Sequence, residues 1–193
     1  MEITGKTVLV LGAGGMVGTA ACRELLNEGP ARLVLSSLTE AEVKEAESIL
    51  RREFPQTPTE ISIEFGNIFL RSEYKDKNRR DLLEDPQCRQ GIIEDVLGEL
   101  AEGVLERSLF YQICQRYRPE IVIDCINSAT AISYQDIFFS SQEVLRHLKR
   151  VTAEGFGLPE FAAVMEKQLC TLLMPQLIRH IQIFYESMRR VKT

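Results

Sequence analysis

Residues 7–18 read Thr7-Val8-Leu9-Val10-Leu11-Gly12-Ala13-Gly14-Gly15-Met16-Val17-Gly18. Val8 to Leu11 is a short, unbroken apolar run. Such a run is what a parallel strand covered on both faces looks like. The glycines that follow permit a tight turn. Then Met16-Val17, Ala20-Ala21 and Leu25-Leu26 recur at helical spacing, and Gly29-Pro30 stops the helix. A buried strand, a glycine turn and a helix in that order begin an α/β fold.

The same alternation continues outward. Arg32 to Ser36 is a second apolar strand. Thr39 with Glu42 three residues later forms a capping box, and the helix it opens runs through Val43, Ala46, Ile49 and Leu50 to stop before Pro55. Glu60–Phe65 alternates as a third strand. Residues 69–90, with the charged stretch Arg71 to Arg80 and Pro86, read as an inserted surface loop with a short helical turn. From Gly91 one long helix is expected up to Pro119, apolar at Ile92, Val96, Val104, Leu109 and Ile113 and acidic on its solvent side. Ile121 to Ile126 is a fourth strand. Helical pieces are expected over 134–150. A final helix should run from Pro159 to Arg190, disturbed at Pro175. Strands alternating with helices imply a doubly wound parallel sheet with helices on both faces. Right-handed crossovers give the strand order 3-2-1-4.

The chain has 193 residues, 45% of them hydrophobic and 26% charged, which fits a single globular domain and argues against disorder. Its net charge of −5 lacks the basic footprint of nucleic-acid binding. No apolar run reaches the length of a membrane span, and a cytoplasmic location is expected. The five cysteines form no CxxC, and the two histidines form no HExxH pattern, so the expectation is reduced thiols and no metal.

The glycines carry the chemistry. Gly12, Gly14, Gly15 and Gly18 fit G-x-G-G-x-x-G, a variant of the dinucleotide fingerprint, placed after a strand and opening a helix. Gly12 permits the turn. Gly14 or Gly15 lacks the Cβ that would block a pyrophosphate, and Gly18 lets helix and strand pack closely. The first helical turn, Met16-Val17, presents free N–H groups to phosphate. At the end of the second strand NAD-specific folds place an acid on the ribose 2′-OH. Ser36 and Ser37 stand there instead, which favours NADP over NAD. Asn67 and Ile68, after the third strand, are candidates for the adenine pocket, although an Asn in such a loop also bonds its own backbone. Asn127, Ser128 and Ala129 follow the fourth strand, where small residues would admit the nicotinamide ribose.

This pattern resembles the front half of an extended short-chain dehydrogenase/reductase, closest to the nucleotide-sugar epimerase and dehydratase branch. The resemblance rests on Val8 to Gly18, Phe65-Gly66-Asn67-Ile68, Pro119 to Asp124, Asn127-Ser128-Ala129-Thr130 and the long helix ending at Val191-Lys192. It implies a Rossmann domain that binds NADP or NAD. It also implies a homodimer through the C-terminal helices, and in the longer parent enzyme a small-molecule substrate. Three departures stand out. Asn67 occupies a position where members carry Asp. Neither Lys167 nor Gln168 is the Asn expected in the long helix. No tyrosine is followed four residues on by lysine: Tyr74, Tyr111, Tyr117, Tyr134 and Tyr185 precede Asn78, Gln115, Ile121, Phe138 and Arg189. The family's Tyr-x-x-x-Lys pair serves as general acid or base with a tuned pKa.

The expectation is therefore the dinucleotide-binding portion of an NAD(P)-dependent oxidoreductase or epimerase, ending before a fifth strand and without catalytic residues of its own. The alternatives are a non-catalytic dinucleotide sensor or interaction module, and a different Rossmann enzyme such as a saccharopine-dehydrogenase-like protein. The last helix, apolar almost all round, predicts a second helix or subunit against Ile181, Phe184 and Met188.

Overall fold

The computed structural model describes residues 2–126, 143, 147 and 158–193. In chain order the elements are β1 (Thr7–Leu11), α1 (Met16–Asn27), β2 (Arg32–Ser37), α2 (Glu40–Glu53), β3 (Glu60–Phe65), a 3-10 turn (Ser72–Tyr74), α3 (Arg79–Glu84), α4 (Pro86–Leu97), α5 (Glu102–Arg107), α6 (Leu109–Tyr117), β4 (Ile121–Asp124), α7 (Leu158–Cys170) and α8 (Leu173–Val191). The strands form one all-parallel sheet in the order β3-β2-β1-β4, the order that right-handed crossovers require. This is a Rossmann-like α/β arrangement.

Two compact units make up the chain. The first comprises Met1–Asp76, Glu102–Ile126 and Ile183–Thr193; the second comprises Lys77–Ala101 and Asn127–Gln182. The first holds the sheet. Val8, Val10, Leu33, Leu35, Ile61 and Ile121 share one sheet face and pack with Cys22, Leu25 and Leu26 of α1 and Val43 and Leu50 of α2. The alternate residues Leu9, Leu11 and Val34 are equally buried on the opposite face. There Glu64 of β3 accepts hydrogen bonds from the Arg116 guanidinium and, at 3.0 Å, from Tyr117 Oη, which anchors the end of α6. Phe110 of α6 is fully buried and stacks on Phe184 of α8, ring centroids 4.8 Å apart. Phe184, expected to need a second helix or subunit, thus finds a helix of its own chain.

The α2 capping box is present, with both the Thr39 hydroxyl and the Glu42 carboxylate engaged. Three expectations need correction. The segment 69–90 is not a loop: it holds the 3-10 turn, α3 and the start of α4, with Leu82, Cys88 and Arg89 buried. The single long helix up to Pro119 is three helices. Gly98 ends α4 in an extended conformation, and Ser108 restarts the chain as N-cap of α6. The last helix is also divided. α7 ends at Cys170 and α8 begins at Leu173, so Pro175 falls in the first turn of α8. A proline is tolerated there because its missing N–H would have no helical acceptor. The predicted helical pieces over 134–150 lie outside the described residues except for Glu143 and His147, which are helical.

The second unit is organised by Arg89. Its guanidinium donates to Glu166 Oε2 at 3.0 Å and to the Leu83 and Glu84 carbonyls at 2.9 and 3.0 Å. One buried cation thereby closes the end of α3 and holds α7. Lys167, singled out from the sequence, pairs with Glu84 at 2.9 Å. Among the described residues no helix is long and apolar enough to cross a membrane.

Phe110 tests the packing of the first unit. Phe110→Ala removes a fully buried ring and should lower stability by about 3–5 kcal/mol, read as a lower urea midpoint. An unchanged midpoint would show that α6 and α8 are not held together by that stack.

Candidate functional site

The carboxyl ends of β1, β2 and β3 gather those candidate cofactor-binding residues that lie among the described residues: the glycine loop with Met16 and Val17, Ser36 and Ser37, and Asn67 and Ile68. Gly12 leaves β1 at φ +74°, a conformation that favours glycine, and a Cβ there would lie 3.1 Å from the Cys125 carbonyl. A Cβ on Gly18 would overlap the Gly12 carbonyl, with the Gly12 carbon at 2.7 Å and the Ala13 Cα at 2.8 Å. Gly18 is thus the close-packing glycine that the motif requires. The two middle glycines have different roles. A Cβ on Gly14 would meet Ser37 Oγ at 2.8 Å and Glu42 Cβ at 3.0 Å, so Gly14 faces protein. A Cβ on Gly15 would meet only the Gly12 carbonyl oxygen, at 3.4 Å. Gly15 is therefore the glycine whose missing side chain leaves space.

Gly15 is also the N-cap of α1, in extended backbone (φ −77°, ψ 164°), with no side-chain cap and no acidic residue in the first turn. By contrast, the N-termini of α2, α3, α4 and α6 are closed by the side chains of Thr39, Asn78, Asp85 and Ser108. An uncapped N-terminus keeps N–H groups and partial positive charge available to an anion. Around it Met16 is 92% exposed, Val17 69% and Leu38, just past β2, 55%. Large apolar side chains exposed together at a sheet edge gain when a ligand covers them.

Ser36 and Ser37 have structural duties that the sequence did not reveal. The Ser36 carbonyl accepts the Ala13 N–H at 2.9 Å, and its side chain is buried. Ser37 Oγ accepts the Gly14 N–H at 2.7 Å, and its carbonyl accepts the Gly66 N–H at 3.0 Å. The hydroxyl of Ser37 thus holds the glycine loop to β2. Asn67 Oδ1 accepts the Phe69 N–H at 3.0 Å, the local turn bond that an Asn in this setting often makes. Ile68 is buried. Asn127, Ser128 and Ala129 lie outside the described residues. The residue that sequence reading missed is Lys75. It returns to the end of β3, where its carbonyl accepts the Asn67 N–H at 3.3 Å and its ammonium lies 4.3 Å from the Phe65 ring centroid. No local pattern marks it, because a chain reversal separates it from the strand.

All five cysteines are free. Burial, with Cys125 nearby, pushes the Cys22 thiol up to about 12, and burial alone does the same to Cys114. Burial raises Cys170 to about 11. Cys125, beside Gly12, is half-buried and is raised by burial and by the Asp124 carboxylate.

No protein-family model matches the chain, and no curated protein matches it. Among solved structures it is similar to the X-ray structure of Pen from Bacillus thuringiensis, with 16% identity and a TM-score of 0.33. The match covers 64% of this chain and 39% of that one, so the chain spans well under half of that protein's length.

Two outcomes follow from this geometry. Gly18→Ala should destabilise the protein by about 1–3 kcal/mol, since backbone on the opposing side cannot give way; equal urea midpoints would contradict the close approach. The raised thiols also set an alkaline limit. Below the unfolded cysteine pKa of about 8.5 both states keep their protons. Above it the unfolded chain loses protons that Cys22, Cys114 and Cys170 retain, so stability should fall as pH rises from about 8.5 towards 12. Urea midpoints across that range check this, and native thiol labelling should modify Cys125 first.

Proposed function

We propose that the chain binds a nicotinamide dinucleotide across the carboxyl edge of β1 and β2, as the cofactor-binding portion of an NAD(P)-dependent oxidoreductase or epimerase of the short-chain dehydrogenase type. The observation that carries this reading is the α1 N-terminus. It is long enough to have a dipole, lacks a side-chain cap, and is approached over a glycine whose Cβ would otherwise project into open space. Its position between β1 and its neighbours β2 and β4 is the switch point at which open α/β sheets bind ligands.

The residues divide the work. The N–H groups of the first turn of α1 would receive the pyrophosphate. Met16, Val17 and Leu38 would supply apolar cover. Ser37 would keep the loop in register through Gly14, and its hydroxyl proton can donate to the adenosine ribose. Asn67, with Oδ1 committed to Phe69, would offer its Nδ2 to the base. The bound dinucleotide would supply hydride transfer. Over these 193 residues no Tyr-x-x-x-Lys pair accompanies the site, so what is proposed of this chain is binding. Association through α8 remains part of the reading on the strength of Ile178, Ile181 and Tyr185, which are exposed along that helix.

Titration calorimetry with NADP⁺ and NAD⁺ tests it. Gly15→Val should fold as the parent does, because the site has room and the backbone there is extended. It should nevertheless weaken either dinucleotide by about tenfold or more, ~1.4 kcal/mol. Failure of the parent chain to bind either dinucleotide would remove the proposal, as would undiminished binding by the folded variant.

A further inference from the structure

The end of β2 offers no cation to a 2′-phosphate: Ser36, Ser37 and Leu38 stand there, with Thr39 and Glu40 beyond. The cation comes from a different part of the chain. Phe65, last in β3, is in register with Ser37. The next residue, Gly66, has φ +127° and donates its N–H to the Ser37 carbonyl. A Cβ on Gly66 would lie 2.7 Å from Lys75 Cβ. Only glycine therefore lets the chain reverse and bring Lys75 against the β3 exit, one strand from Ser37. The 3-10 turn Ser72–Tyr74 fixes the return, with the Lys75 N–H donating to the Ser72 carbonyl at 3.2 Å.

No carboxylate neutralises the charge on Lys75 among the described residues. Arg23, Arg32, Lys44, Arg51, Arg116 and Arg190 are each paired with a carboxylate. The Lys75 ammonium has the face of Phe65 instead, 4.3 Å from its centroid, and among the described residues it makes no ion pair. Lys6 and Arg118 precede β1 and β4 and so sit at the opposite edge of the sheet. An ammonium held over a ring is attracted only modestly and keeps its donors for an anion. Glu64, one residue before Phe65, is already bonded to Arg116 and Tyr117.

We propose that Lys75 is the specificity-determining residue for a 2′-phosphorylated adenosine, its ammonium meeting the phosphate next to the tip of β2. This rests on the dinucleotide reading above and deepens it, since it selects NADP over NAD from a segment remote from the glycine loop.

The test uses the full chain and compares the parent, Lys75→Gln and Lys75→Arg by calorimetry against NADP⁺, NAD⁺, 2′,5′-ADP and 5′-ADP, with circular dichroism to confirm folding. The parent should bind NADP⁺ more tightly than NAD⁺, and that preference should weaken with added salt. Lys75→Gln should weaken NADP⁺ and 2′,5′-ADP by about tenfold or more and leave NAD⁺ and 5′-ADP within about twofold. Lys75→Arg should retain most of the preference. If Lys75→Gln weakens both series equally, or neither, the inference fails while the dinucleotide reading stands. If the parent binds no member of either series, both fail together.

Discussion

The contact between Ser37 and Gly14 joins the parts of the first unit that matter. A hydroxyl at the end of β2 accepts the N–H of a glycine in the turn after β1, at 2.7 Å. Through the Ser37 carbonyl the same residue holds Gly66 at the exit of β3. Three consecutive spatial strands are thereby tied at their carboxyl edge by one serine. The approach is close enough that a side chain at 14 would collide with Ser37 and Glu42. The glycine loop is thus held from the β2 side and, through Gly12 and Gly18, from the β1 side, so that only Gly15 faces open space.

That constraint separates two properties that a glycine motif runs together. Gly12, Gly14 and Gly18 are required by the protein's own packing. They would be glycine whether or not a ligand ever bound. Gly15 is different, because the fold leaves room for a side chain there. Its value lies in the uncapped helix terminus beneath it. The exposed Met16, Val17 and Leu38 point the same way, since burying them against solvent-accessible ligand surface is favourable and leaving them in water is not.

Much of this was legible in the residues. The run Val8 to Leu11, the turn glycines and the helical spacing from Met16 to Leu26 are local signals, and each element formed where its own periodicity placed it. The Thr39–Glu42 box is local too, and it formed. Where reading failed, the pattern had no local mark. Ile92, Val96, Val104 and Ile113 keep helical spacing straight through the breaks at Gly98 and Ser108, so apolar periodicity alone describes one helix where there are three. Residues 71–80 are so charged that they read as a solvated loop, yet Tyr74 and Leu82 within that neighbourhood are buried.

The sequence by itself determined the strand order and the glycine turn at the end of β1, because a parallel sheet with right-handed crossovers admits few arrangements of alternating strands and helices. Tertiary structure alone decided which glycine faces open space, that Ser37 is committed to the loop, that Phe184 finds Phe110, and that Lys75 returns to the edge of β3. These contacts join residues 10 (Phe65–Lys75), 23 (Gly14–Ser37) and 74 (Phe110–Phe184) positions apart. Their distances are set by packing and backbone reversal, and no periodicity or spacing along the chain encodes them.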